Sequence, residues 1–287
     1  MRDQAYNLRN LIKTDSDSNF QVITITSGKG GVGKTSFTVN LAACLQSLGK
    51  NVLILDADLA LANIDILLDE KPTYNLGNLL TGEKDINEII YTSKSGIKFI
   101  PASSGVEELA NLSPKQQLFL INKLKDIYYD FDYMLIDTSA GVHETVINFC
   151  LAADKTTIVT TPDPTAVADA YALSRILIKN KPDDVELGLI VNMVSSPEEG
   201  ERVYKGMDRI LKQFLGKGIE FFGYLRKDDN LVQSIRERKI LYQVNPKSKY
   251  SRDILNFANY LITGERKPSK SNFWKRVFTN WIKLKEV

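Results

Sequence analysis

Soft metal ligands are nearly missing from this chain. Its 287 residues include two cysteines, Cys44 and Cys150, and one histidine, His143. Each cysteine falls inside an apolar helical pattern, so neither a disulfide framework nor a metal cluster is indicated. A lone histidine is more often a satisfied or surface side chain than a proton carrier, and His143 is assigned no catalytic part. Long apolar runs are missing too. None approaches the ~20 residues a helix needs to span a bilayer, so any membrane contact is expected to be peripheral. Residues 1–14 are polar, which predicts no cleaved leader, and with unpaired cysteines this points to the cytoplasm. Charge of one sign is scarce as well: the formal net charge is +2, too little for a general polyanion binder. What basic excess exists is gathered at one end. Lys270, Lys275, Arg276, Lys283 and Lys285 stand against Glu286, about +4, leaving about −2 for the rest. Both tryptophans, Trp274 and Trp281, fall in the same stretch.

What is present has a clear rhythm. Apolar runs at 21–26, 51–55, 97–100, 133–136, 157–160 and 187–191 are bounded by turn residues and alternate with amphipathic stretches. Strands rich in Val, Ile and Leu between helices predict an α/β, doubly wound, mostly parallel sheet with helices on both faces. Ligands in such sheets bind at the carboxyl ends of the strands. Three parts are expected: residues 1–19, an N-terminal segment and polar linker; 20–263, the α/β domain; and 264–287, a hinge and an amphipathic helix.

The first strand leads into Gly28-Lys29-Gly30-Gly31-Val32-Gly33-Lys34-Thr35, a complete P-loop, with Ser36 following in the helix. Its glycines let backbone N–H groups wrap phosphate oxygens, and the helix that opens at the loop favours the same anion. Lys34 is expected to reach the β and γ phosphates of ATP, and Thr35 to ligate Mg²⁺. Lys29 has no such duty in its own loop. It is either a solvated charge or a group that acts on another nucleotide.

Lys29 through Thr35 resembles the deviant Walker A motif of the MinD/ParA ATPases. That resemblance implies slow ATP hydrolysis to ADP, an ATP-bound homodimer, and Lys29 reaching the partner's phosphates. The run from Leu55 to Asn63 is similar to the family's first switch, with Asp56 near the Mg²⁺ shell and Asp58 orienting or activating the attacking water. Asp132 to Gly141 reads as a Walker B strand that delivers Asp137 to Mg²⁺, and 139–142 as a second switch. Asn192 after the 187–191 strand would meet adenine, and the segment holding Arg226 and Lys227 would lie opposite and offer backbone contacts.

The ends choose among subfamilies. Asp3-Gln4-Ala5 with Leu8-Arg9 resembles the activator motif of the FlhG/FleN/YlxH group of MinD-like flagellar regulators. The resemblance implies that residues 1–13 engage the SRP-type GTPase FlhF, with Gln4 helping to position water in that partner's site, and that flagellar basal-body (C-ring) components are further partners. At the other end, Phe273, Trp274, Val277, Phe278, Trp281 and Ile282 share one half of a helical wheel, with basic and polar residues opposite. That is the pattern of an interfacial helix on anionic lipid, and equally of a terminal helix packed on the domain. A helix docked in the monomer and released in the ATP dimer is therefore expected. A division-site MinD and, less favoured, a ParA-type DNA partition ATPase are the rival readings; no specific nucleic acid is expected.

Overall fold

The computed structural model describes residues 20–58, 64–101, 123, 127, 130–264, 273, 276, 277 and 279. Eight strands form one sheet in the order β3-β4-β2-β5-β1-β6-β7-β8. They are β1 Gln21–Ser27, β2 Val52–Ala57, β3 Tyr91–Thr92, β4 Lys98–Ile100, β5 Tyr133–Ala140, β6 Lys155–Thr160, β7 Glu186–Val194 and β8 Glu220–Arg226. All neighbours pair in parallel except β3, which runs antiparallel to β4 at the edge. The helices among the described residues are α1 Lys34–Ser47, α2 Ile64–Leu68, α3 Leu76–Leu80, α4 Ile86–Ile89, α5 Glu144–Ala152, α6 Pro164–Asn180, α7 Pro197–Leu215, α8 Asp229–Arg236, α9 Leu241–Val244 and α10 Lys249–Thr263.

Side chains alternate across each strand, so one strand serves two cores. Ile23 and Ile25 of β1 face a cluster with Phe37 and Leu41 of α1 and Phe257 and Leu261 of α10. Val22 points the other way, into a cluster with Phe149 of α5. Every strand from β1 to β6 that pairs on both sides is buried along most of its length, which is why β1, β2 and β5 are rich in Val, Ile and Leu, while β6 buries threonines beside Ile158 and Val159. The doubly wound sheet is therefore as expected, with two additions. Strand β3 is only two residues long, and β8 carries Gly223 at φ 130 in mid-strand, which broke its apolar pattern.

Asp56, Asp137 and Asn192 lie inside their strands rather than just beyond them, because β2, β5 and β7 extend past the apolar run. The crevice is set by β1, which pairs with β5 on one side and β6 on the other.

The C-terminal stretch meets this body at α5. Phe273 stacks on Phe149 with ring centroids 6.1 Å apart and planes 6° from parallel. Phe273 and Val277 are buried in the same core cluster. Arg276, expected on the polar face, donates to the carbonyls of Ala152 and Ala153 at 3.3 Å and pairs with Asp184. Those carbonyls close α5, where unpaired acceptors and the negative helix end favour a cation. For Phe273 and Val277 to face lipid, they must first leave this seat. Trp274, Phe278, Trp281 and Ile282 lie outside the described residues. None of the described helices is long and apolar enough to cross a membrane.

Candidate nucleotide site

The loop after β1 is shaped by what its glycines permit. A side chain on Gly28 would place a Cβ 2.3 Å from the Asp169 backbone, so the loop lies directly on α6. Gly31 and Gly33 hold φ of 77° and 90°, in the left-handed region. Ser27 donates its hydroxyl to the Lys29 carbonyl at 2.7 Å and braces the turn. Helix α1 then opens with Gly33 at its cap and no side-chain hydrogen bond there. Its first N–H groups lack a capping side chain, the arrangement that receives a phosphate.

Lys34 is buried at 8% exposure. Burial lowers the pKa of its ammonium, and the carboxylates of Asp137 and Asp58 work against that shift. Thr35 donates to Asp137 Oδ2 at 2.6 Å, and Thr38 donates to Oδ1 at 3.3 Å. Desolvation pushes Asp137 up to about 6 despite those bonds and the nearby Lys34. Asp56 sits beside Asp137 in the β2–β5 register and accepts the N–H groups of Asp58 at 3.2 Å and Ile64 at 3.4 Å. The structure thus brings Lys34, Thr35, Asp56, Asp58 and Asp137 to one end of three adjacent strands.

Thr35, Asp56 and Asp137 are hard oxygen donors, which suits Mg²⁺. Among the described residues no group of three or more His, Cys, Asp or Glu forms a self-sufficient metal cage. The donor set therefore fits an ion shared with phosphate oxygens and water. Such an ion, when bound, would supply positive charge against the phosphates.

Other expected site residues are used differently. Lys29 Nζ lies 3.3 Å from Asp163 Oδ1 and also hydrogen-bonds the Thr165 hydroxyl, with 43% of its side chain exposed. Asp163 caps α6, accepting the N–H groups of Thr165 and Ala166 at 3.0 Å each. The Thr165 hydroxyl first, then the Ala166 N–H and Lys29, hold its carboxyl down at about 2. Arg226 forms a two-pronged pair with buried Asp253 at 2.9 and 2.7 Å. The backbone N–H groups of Arg226 and Lys227 bond Asp253 and the Val194 carbonyl. A base contact from this segment has to use other groups.

Asn192 donates to the Val32 carbonyl of the loop at 2.7 Å. In the expected second switch, Gly141 has φ 105 and its N–H donates to the Ser27 carbonyl at 2.8 Å, tying the segment to the phosphate loop. Ser36, in the first turn of α1, offers its carbonyl to Asn40 at 2.8 Å. Gln4 and residues 1–13 lie outside the described residues. The sequence reading missed Thr38, Asp163, Thr165 and Asp253. Asp163-Pro164 did carry a signal, since a capping residue followed by proline marks a helix start.

The family described as AAA domain matches residues 20–181. Antiactivator FleN of Pseudomonas aeruginosa is 35% identical over 231 residues, covering 80% of this chain and 82% of its own. Flagellum site-determining protein YlxH of Helicobacter pylori is 37% identical over 271 residues, covering 92% and 91%. The chain belongs to the FleN/YlxH group of the MinD/ParA-type ATPases. The fold of this FleN/YlxH-group ATPase is similar to that of a chain of the MinC:MinD cell division protein complex of Aquifex aeolicus. The TM-score is 0.68 at 27% identity, over 86% of this chain and 98% of the other. A MinD–Mg-ADP complex from Pyrococcus horikoshii, at 22% identity and TM-score 0.66, shares the fold.

Proposed function

We propose that this protein is a Mg-ATP-driven switch that regulates flagellar number or placement. One observation carries the reading: the YlxH relative, whose name is flagellum site-determining protein, aligns with nearly the whole chain. ATP binds through residues 28–36, with Lys34 on the phosphates and Thr35, Asp56 and Asp137 around Mg²⁺. Asp58 directs the attacking water, and hydrolysis is slow. ATP joins two copies, and Lys29 leaves Asp163 to reach the partner's phosphates. Lys29 suits that transfer, because its ion pair is half-exposed and such pairs contribute about 1 kcal/mol or less.

In the cytoplasm, residues 1–13 stimulate an FlhF-type GTPase through Gln4, and C-ring components are further partners. The C-terminal helix carries the protein reversibly to anionic lipid on the inner face of the membrane once Phe273 and Val277 are released. Equal pelleting with anionic vesicles in ADP and in ATP would sink that last step. The test of the whole is GTP turnover by an FlhF-type GTPase with a peptide of residues 1–13, with and without Gln4→Ala. Stimulation lost on substitution supports the flagellar reading. No stimulation by either peptide moves the assignment to a division-site MinD, for which the 28% identity to MinD of Bacillus subtilis over 86% of this chain speaks.

A further inference from the structure

Asn192 is buried at 2% exposure within β7. Both polar atoms of its amide are engaged. Nδ2 donates to the Val32 carbonyl at 2.7 Å, and Oδ1 accepts the Met193 N–H at 2.8 Å. The pairing of β7 with β8 shifts between Val191 and Val194, and Met193 within that shift has φ 58. A left-handed methionine is an uncommon conformation that surrounding structure has to hold in place. The irregularity lies where Asn192 meets the phosphate loop, and strand irregularities of this kind re-aim side chains beside functional sites. The loop makes room in return. A Cβ on Gly33 would lie 2.5 Å from Asn192 Nδ2, so the amide reaches the Val32 carbonyl because residue 33 has no side chain.

This contact fixes more than one carbonyl. A trans peptide is planar, and its C=O and the next residue's N–H point in opposite directions. With the Val32 oxygen drawn toward Asn192, the Gly33 N–H is turned the other way. Without that bond the Val32–Gly33 unit is free to rotate, since Gly33 tolerates either sign of φ. We propose that Asn192 is a positioning residue for the phosphate loop: its amide sets the Val32–Gly33 peptide so that the Gly33 N–H is presented to phosphate. The inference rests on the nucleotide-binding reading and adds to it a residue that governs phosphate affinity from another strand. An amide carries two N–H bonds on nitrogen, so Nδ2 keeps a second one for a base while the first holds the loop.

A ligand without a base separates this role from base recognition. Titration calorimetry on the full chain would use Mg-tripolyphosphate and Mg-ATP, with wild type, Asn192→Leu, which replaces the amide by an apolar group of similar size, and Asn192→Ala. A ligand-free melting curve identifies a variant that fails to fold, and the other variant then carries the test. Wild type is expected to bind both ligands, and the variants to lose about tenfold or more for tripolyphosphate as well as for ATP. The ¹⁵N–¹H resonance of Gly33 is expected to shift with saturating tripolyphosphate in wild type and to shift less, at equal saturation, in Asn192→Leu. Loss of ATP affinity with tripolyphosphate affinity intact would overturn the proposal and leave Asn192 a base contact. Unchanged affinity for both ligands would overturn it too. Failure of the wild type to bind either ligand would instead remove the nucleotide reading on which it rests.

Discussion

Two helices begin against the same loop and treat their first turns in opposite ways. Helix α6 is closed: Asp163 accepts two of its leading N–H groups, and Pro164 removes another donor. Helix α1 is open, with glycine at its cap and no side-chain acceptor. Both starts touch the phosphate loop, since Gly33 caps α1 and Lys29 pairs with Asp163 and Thr165 at the start of α6. A helix start that serves the fold carries its own anion, and one that serves a ligand leaves the place for it.

Exchanging these treatments should give the largest effects. Gly33→Asp would install a carboxylate where phosphate is expected and a Cβ 2.5 Å from Asn192 Nδ2; the repulsion alone, at roughly 4 Å and intermediate screening, is about 4 kcal/mol, about a thousandfold in affinity. Calorimetry with Mg-ATP should find no binding at micromolar protein. Lys34→Ala keeps the α1 start open but removes its buried cation. A charge-assisted bond is worth about 1.5–3 kcal/mol, so an affinity loss of about a hundredfold is expected in the same assay.

Opening α6 is a smaller change. Asp163→Ala should lower the melting temperature by about 2 °C or less, with ATP affinity of the monomer unaltered. Reduced ATP affinity in that variant would break the comparison, because it would make Asp163 part of the ligand site. The same pair reports on pH. The Asp163 carboxyl titrates at about 2 when folded, below its ordinary 3.8. Its stabilisation is complete above 3.8 and is lost as pH falls toward 2, so the gap between wild type and variant should narrow over that interval. Thr165→Val keeps the backbone N–H groups on Asp163 but removes the hydroxyl's bonds to Asp163 and Lys29, so it should let the Asp163 carboxyl rise toward its ordinary value and shift stability less than Asp163→Ala does.

The open start was legible in the sequence and the closed one was passed over, for a physical reason. The phosphate loop is contiguous, and its spacing carries its chemistry. Lys29 and Asp163 stand 134 residues apart, and only the pairing of β1 with β6 brings their elements side by side. The same holds for Asn192 and Val32, 160 residues apart. The α/β alternation was readable because the buried parallel strands carry runs of Val, Ile and Leu, whereas Gly223 interrupts β8. An apolar stripe does not tell protein from lipid, so the composition of the terminal helix left open the seat that Phe273 takes on Phe149. Nor did sequence spacing show that Arg226 is committed to Asp253.

Helix α5 is gripped at both ends by different parts of the molecule. Its first residue follows closely on Gly141, which is bonded to the start of the phosphate loop, and its last carbonyls are held by Arg276. Nine residues at about 1.5 Å each make a strut about 13 Å long. A strut that short does not bend, so a tilt of about 10° at the phosphate end would carry the far end about 2 Å sideways. Side-chain contacts lose a quarter to a half of their attraction at a gap of roughly 0.5–1 Å. The stacking seat of Phe273 is thus built on the helix that follows the loop behind Asp137, so a tilt of that helix would be felt first at this contact.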